Sequence, residues 1–215
     1  MMRTMILYSY FRSSAAYRAR IALNLKGLAY EQRSVHLVRG EQRSAGYLEL
    51  NPQGLVPMLV VGDRRLTQSL AIVEYLDEKH PQPPLLPVSP EDRAWVRAVA
   101  LGIACDIHPL NNTRVLKYLS RQLQLEEPAR NDWYRHWVTE GFTALEKQLA
   151  EHGSGRFCHG DTPTLADVFL VPQVANANRF NVDLAPYPRI RAVNEACLAL
   201  EPFAAAQPSR QPDAE

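Results

Sequence analysis

Strand-like and helix-like periods of apolar residues alternate through the first 80 positions of this chain, and helical periods alone follow position 90. Met5-Ile6-Leu7-Tyr8 predicts a strand over 5–9. It runs into a helical pattern over 14–26, with Tyr17, Ile21, Leu25 and Leu28 on one face and Gly27 as the stop. Residues 30–36 predict a second strand, which a single crossover helix makes parallel to the first. A short helix around 43–50 comes next, then a turn at Asn51-Pro52-Gln53-Gly54. Met58-Leu59-Val60-Val61 and Arg64-Arg65-Leu66 predict a hairpin around Gly62-Asp63. Ser69 is expected to cap a helix over 70–79 that turns Leu70, Val73 and Leu76 inward.

Pro81, Pro83, Pro84, Pro87 and Pro90 exclude helix and interior strand, so 81–90 is expected to be a linker. Beyond it the pattern predicts a long helix over 91–122, bent near Pro109. A second helix over 128–151 offers Trp133, Trp137, Phe142 and Leu145 to a core. Thr164-Leu165-Ala166-Asp167 is a capping-box variant that opens a third, with Val168, Phe169 and Val171. A last helix, about 188–200, stops before Pro202, and the polar, Pro-rich tail from Gln207 to Glu215 is expected to be extended or frayed. The fold class expected is an α/β N-terminal domain of βαβββα type over 1–80, the linker over 81–90, and an all-α domain over 91–215.

Composition changes little in this picture. Apolar residues make up 46% and charged residues 22%, as in ordinary soluble domains. A net charge of +1 gives no global case for nucleic acid or an anionic membrane as partner. The charge is uneven, however. Arg3, Arg12, Arg18, Arg20, Lys26, Arg33, Arg39 and Arg43 face only Glu31 and Glu41 in residues 1–43, which suits a small anionic ligand. Most of these eight are expected on a solvated surface. Cys105, Cys158 and Cys197 are odd in number and fit neither C-x-x-C nor zinc spacing, which predicts reduced thiols in a cytosolic protein and no metal site. Met1-Met2-Arg3-Thr4 leads straight into a strand with no apolar leader, and no run is long enough to span a membrane; the expected location is cytoplasmic.

Candidate chemistry gathers at three places. Ser13 and Ser14 lie where the first strand becomes a helix, so their hydroxyls and the free N–H groups of the first turn share one end. Such an end stabilises an anion, a thiolate included, and the adjacent Arg12 can hold a carboxylate. Val56-Pro57, after a Gly turn and before a strand, is a candidate cis peptide that would turn the Val56 N–H and C=O outward to pair with an extended peptide. An ordinary trans proline at a strand start is the alternative. Gln68-Ser69 sits at a second helix N-terminus, where a carboxylate can be held without a cationic side chain; a plain N-cap is the alternative. Together these places suit a peptide with a thiol at one end and a carboxylate at the other.

Over nearly its whole length the chain resembles the cytosolic glutathione transferases, and within them the zeta class, whose known enzymes include maleylacetoacetate isomerase. The resemblance is carried by Tyr8-Ser9-Tyr10-Phe11-Arg12-Ser13-Ser14, Arg18-Ala19-Arg20-Ile21-Ala22-Leu23, Asn51-Pro52-Gln53-Gly54-Leu55-Val56-Pro57, Gln68-Ser69 with Ala71-Ile72-Val73-Glu74-Tyr75-Leu76, and Leu165-Ala166-Asp167. The most class-specific run is Leu170-Val171-Pro172-Gln173-Val174-Ala175-Asn176-Ala177-Asn178-Arg179-Phe180. The resemblance implies a thioredoxin-like glutathione-binding domain joined to an all-helical substrate-binding domain, with glutathione as cofactor.

It further implies that Ser13, with Ser14 beside it, activates the glutathione thiol, that Val56 and Pro57 meet the peptide backbone, and that Gln68 and Ser69 hold the γ-glutamyl carboxylate. Asp167 is implied as a structural cap. Cys105 to Arg114 resembles the matching run of bacterial maleylacetoacetate and maleylpyruvate isomerases. From that run His108 and Asn112 are candidates for glutathione, and Arg114 joins Arg12 and Arg179 as a candidate for a small dicarboxylate substrate. The zeta pattern often reads Ser-Ser-Cys where this chain has Ser13-Ser14-Ala15, so side reactions needing that thiol are in doubt. The implied activity is isomerisation of maleylacetoacetate to fumarylacetoacetate by reversible thiolate addition to the conjugated double bond. The alternatives are the same chemistry on maleylpyruvate, a general transferase acting on small electrophiles such as haloacids, and a binding protein that has lost turnover. A homodimer is implied as well.

Overall fold

The computed structural model describes residues 5–215, so Arg3 and the expected run-in at 1–4 lie outside the described residues. Two compact units emerge. One runs to Pro84 and takes in Ala199–Glu215; the other is Leu85–Leu198. The division differs from the expected 1–80, 81–90 and 91–215 at both ends: the proline-rich stretch has no unit of its own, and the last 17 residues leave the helical unit for the first.

The first unit is built on a four-stranded sheet in the order β2-β1-β3-β4, from β1 (Met5–Ser9), β2 (Tyr30–Ser34), β3 (Met58–Val61) and β4 (Arg64–Thr67). β1 and β2 are parallel across the crossover helix α1 (Ser14–Leu25), and the other two pairs are antiparallel. Successive residues of a strand face opposite sides. Leu7 and Leu59, paired in register and fully buried, face one side, and Tyr8 and Met58 the other. There Met58 packs with Val35 and with Tyr47 of α2 (Ala45–Leu50). α1 packs against α3 (Ser69–Lys79), and Ile21 and Leu23 of the one and Ile72, Val73 and Leu76 of the other are wholly buried. Gly27, at φ +63, stops α1 as expected.

Of the basic residues in the first 43 positions, Arg12, Arg33, Arg39 and Arg43 are exposed, as expected for most of them, and three are buried. Arg18 is 1% exposed, Arg20 0% and Lys26 8%. Each guanidinium or ammonium is engaged by the protein; Lys26 Nζ meets Asp77 of α3 at 2.6 Å and also the Pro83 carbonyl. The tail is not frayed either. α9 (Glu201–Ala205) and a 3₁₀ turn over Pro208–Arg210 lay it on the first unit, with Asn24 donating to the Pro202 carbonyl at 3.0 Å.

The second unit is helical. α4 (Pro90–Leu101) starts on Ser89, whose hydroxyl accepts from the Asp92 N–H at 3.0 Å, so Pro90 opens a helix instead of closing a linker. The expected helix over 91–122 is broken, not merely bent. A π-helical stretch, Gly102–Ile107, and a 3₁₀ turn, His108–Asn111, separate α4 from α5 (Thr113–Arg121). Pro109 has no N–H to continue the ladder, and Asn112 restarts it as an N-cap. In α6 (Glu127–His152) Phe142 and Leu145 are buried as expected; Trp133 and Trp137 are only half-buried, and Tyr134 and Val138 take the core positions. α7 (Leu165–Arg179) opens on the expected capping box: the Thr164 N–H and hydroxyl donate to Asp167 Oδ2 at 2.7 and 2.9 Å. α8 (Pro188–Leu198) ends this unit. Among the described residues no helix is long and apolar enough to cross a membrane.

Candidate functional site

Tyr8, Met58 and Thr67 lie side by side across β1, β3 and β4. Three connections therefore leave the sheet at one end. They are the β1–α1 loop after Tyr8, with Arg12, Ser13 and Ser14, the Val56-Pro57 pair before Met58, and Gln68-Ser69 after Thr67. The fold thus brings together the three places that the sequence singled out in this unit.

Ser13 is the N-cap of α1, and its Oγ accepts from the Ala16 N–H at 3.2 Å. A hydroxyl that accepts still has its own proton to give. The Ala15 N–H donates to no partner among the described residues, so it is a second donor at the positive end of the helix dipole. Ser14 is the first helical residue and is buried. Arg12 is exposed, its guanidinium 4.8 Å from the centre of the Phe11 ring.

The Val56-Pro57 bond is cis. Just upstream, the Tyr47 hydroxyl and Asn51 Nδ2 both donate to the Leu55 carbonyl, at 2.7 and 2.8 Å. The half-buried Val56 keeps its own N–H and C=O unpaired among the described residues. At the third place the expectation of a Ser69 cap is corrected. Gln68 occupies the N-cap position without a side-chain cap bond, at φ +69, in the left-handed region that costs a non-glycine residue about 1–3 kcal/mol. Ser69 is the first residue of α3, and its hydroxyl accepts from Nη1 of buried Arg18 at 3.2 Å. Nothing in the residue types marks Gln68 for that conformation or Arg18 for burial.

In the second unit His108 begins the 3₁₀ turn and is half-buried. The Asn112 side-chain oxygen is occupied in capping α5, accepting from the N–H groups of Arg114 and Val115 at 3.0 and 3.3 Å; only its amide NH₂ remains for a ligand. Arg114 is exposed in the first turn of α5. Arg179 is exposed at the end of α7, 4.8 Å from the centre of the Phe180 ring. α6 ties the two regions together: Phe180 stacks on Tyr134 at 3.6 Å, the Tyr134 carbonyl accepts from Asn111 Nδ2 at 3.4 Å, and Trp133 Nε1 donates to the Leu110 carbonyl at 2.9 Å. A cavity of about 300 Å³ in this unit is lined by Val99, Ile103, Ile107 and Trp137 together with the carboxylates of Asp106 and Glu140. Those two negative charges make it a poor seat for an anionic substrate.

Comparison with known proteins gives a consistent result. Residues 3–78 match the family model of the glutathione S-transferase N-terminal domain, and 129–196 that of the glutathione S-transferase C-terminal domain. A probable maleylacetoacetate isomerase of Vibrio cholerae is 51% identical over 99% of this chain and 100% of its own. The holo structure of a maleylpyruvate isomerase, a bacterial glutathione S-transferase of the zeta class, superposes with a TM-score of 0.96 at 50% identity, covering 98% of this chain and 100% of the other. The maleylacetoacetate isomerase of Methylobacterium extorquens, solved with bound malonate and glutathione, gives a TM-score of 0.95 at 42% identity over 98% and 99% of the two chains.

Proposed function

The chain belongs to the glutathione S-transferase family, and on that premise we propose that it is a glutathione-dependent cis–trans isomerase that converts maleylacetoacetate to fumarylacetoacetate. The observation that carries the reading is the end of the sheet, where a helix N-terminus with a serine cap, an unpaired backbone edge and a second, strained helix N-terminus converge.

Glutathione fits these residues. The Val56 N–H and C=O match an extended peptide. Gln68 and Ser69 offer an uncharged seat for the γ-glutamyl carboxylate, and Ser13 with the Ala15 N–H faces the thiol. When bound, glutathione supplies the sulfur nucleophile whose reversible addition to the conjugated double bond lets that bond turn. Ser13 and the N-terminus of α1 hold negative charge on the sulfur, lowering its pKa from the usual thiol range near 8.5. Ser14 buttresses that turn. Arg12, Arg114 and Arg179 are each assigned to substrate carboxylates, which a guanidinium binds by charge-assisted hydrogen bonds. His108 and the Asn112 amide are further donors toward glutathione.

The test is an isomerisation assay with and without glutathione, on maleylacetoacetate and maleylpyruvate side by side. The reading expects glutathione-dependent turnover, faster on the first. Maleylpyruvate is the second reading, favoured by the 50% identity to the maleylpyruvate isomerase, and a faster rate on it reverses the assignment. The proposal extends to a cytoplasmic location, consistent with three unpaired cysteines, and to a homodimer. Sedimentation at micromolar concentration is expected to give twice the 24.3 kDa chain mass.

A further inference from the structure

Phe11 has its two backbone groups held by opposite charges, one from the adjoining helix and one from the far end of the chain. Its N–H donates to Asp213 Oδ2 at 3.0 Å, across 202 positions of sequence. Its C=O accepts from Arg20 Nη2 at 3.1 Å. Arg20, wholly buried, also donates to Ser9 Oγ at 3.0 Å and to the Ala206 carbonyl at 3.0 Å, so one guanidinium grips the loop and the tail together. The Asp213 carboxylate accepts two further bonds: Ser34 Oγ donates to Oδ2 at 3.0 Å and Gln32 Nε2 to Oδ1 at 3.1 Å.

The tail is anchored well enough to act as a brace. Tyr17, Arg20 and Asn24, spaced along one face of α1, bond the carbonyls of Phe203, Ala206 and Pro202. Gln211 Nε2 closes the turn before Asp213 by donating to the Ala205 and Gln207 carbonyls at 2.9 and 2.8 Å. Beyond it Glu215 Oε1 meets His36 Nε2 at 3.0 Å and Arg39 Nη2 at 2.9 Å. A Pro-rich polar segment is thus held to the first unit by side-chain hydrogen bonds along its length, and the Asp213 carboxylate ends on the peptide group one residue before Arg12 and two before Ser13.

We infer that Asp213 is a positioning residue for the β1–α1 loop: through the Phe11 N–H it fixes the backbone that presents Arg12 and aims Ser13 at the thiol. The inference rests on the role of Ser13 proposed above. Asp213 touches neither glutathione nor substrate; it acts by removing freedom from the loop that does.

The experiment compares Asp213→Ala and Asp213→Asn with the wild type in three readouts. The first is amide exchange of the unliganded protein. The second is the thiol pKa of bound glutathione, followed by thiolate absorbance. The third is kcat and KM separately. Asp213→Ala is expected to speed exchange at Phe11 to Ala16 while β3 and α3 stay protected. It should raise the bound thiol pKa and cut kcat about tenfold, the worth of one hydrogen bond to a charged group. KM for the maleyl substrate should move less than kcat. Asp213→Asn, which keeps an acceptor for the Phe11 N–H, should recover a large part. Unchanged loop exchange and an unchanged thiol pKa in Asp213→Ala would overturn the inference. So would an even loss of protection throughout the unit with a matching fall in Tm, which would make Asp213 a general stabiliser. A wild type that turns over neither maleyl substrate would sink the functional reading alone, because loop exchange and the thiol titration still decide the role of Asp213.

Discussion

Arg18 Nη1 donates to the Ser69 hydroxyl at 3.2 Å, and this bond joins the N-terminus of α3 to the second turn of α1 through a buried guanidinium. It ties the first turn of α3 to the body of α1, so the seat proposed for the γ-glutamyl carboxylate does not move independently of the seat proposed for the thiol. Ser69→Ala takes an acceptor from a buried charge. The expected cost is about 1–3 kcal/mol in unfolding free energy, with glutathione affinity falling about tenfold. Urea unfolding and a glutathione titration of the variant check both, and unchanged affinity would remove Ser69 from the binding surface.

Ser13→Ala removes the N-cap acceptor of the Ala16 N–H and the hydroxyl proton together. Turnover is expected to fall ~10–100-fold, as for loss of one donor to an anion, with a higher pKa for the bound thiol. Stability should drop by about 1 kcal/mol, the usual worth of such a cap. A neutral-pH rate equal to that of the wild type would shift the role to Ser14.

The three cysteines should behave unequally. Cys158 and Cys197 are wholly buried, and burial together with the nearby Asp167 carboxylate pushes both thiols up. Cys105 is exposed. An aromatic disulfide reagent at neutral pH should therefore titrate one thiol in the native protein and three after denaturation. Two or more fast thiols in the native state would contradict the packing around Asp167.

That packing sets a pH dependence. Burial pushes the Asp167 carboxyl up, more than the hydrogen bonds from Cys158 and Thr164 pull it down. A carboxyl with a folded value above its unfolded value, about 3.9, binds its proton more tightly in the folded state. Its contribution to stability is complete below the unfolded value and is lost as pH rises through the folded one. Asp167→Asn imitates the protonated group and should lack this loss. Thermal melts of both proteins between about pH 4 and pH 7 should show the wild type losing ground to the variant as pH rises, and parallel curves would refute the shift.

Short-range signals were legible where neighbouring residues decide the outcome. The apolar run of β1, the stop at Gly27, the hairpin around Gly62 and the box from Thr164 to Asp167 are each set within a few positions. Long-range partners were not. Arg18 and Arg20 carry the composition of a surface, but Ser69 and the Ala206 carbonyl, 51 and 186 positions away, make their burial tolerable. The tail has the composition of a frayed end because its polar groups serve backbone partners, Phe11 among them, instead of water. Gln68 at φ +69 is held by its surroundings against its own preference, which no residue type reports. The candidate site was readable as far as its serines and prolines, and unreadable in the buried charges that brace them.

Arg12 and Arg179 are expected to serve the substrate and not glutathione. Both are exposed guanidinium groups resting beside a phenylalanine ring, Phe11 and Phe180, each at 4.8 Å, so each is oriented while its N–H fork stays open to a carboxylate. The Phe180 ring is itself fixed by stacking on buried Tyr134, which gives Arg179 the firmer mount. If each arginine holds one carboxylate of a dianion, Arg179→Ala should weaken productive binding by about 1.5–3 kcal/mol. That corresponds to roughly a 10–150-fold loss in kcat/KM. Arg179→Lys should recover only part, since a point charge replaces a bidentate fork. The check is a pair of titrations on Arg179→Ala, one with glutathione and one with a maleyl substrate. Unchanged glutathione affinity with weakened substrate handling supports the assignment. Loss of glutathione binding with substrate handling intact would reverse it, and no change in either would return Arg179 to the solvated surface.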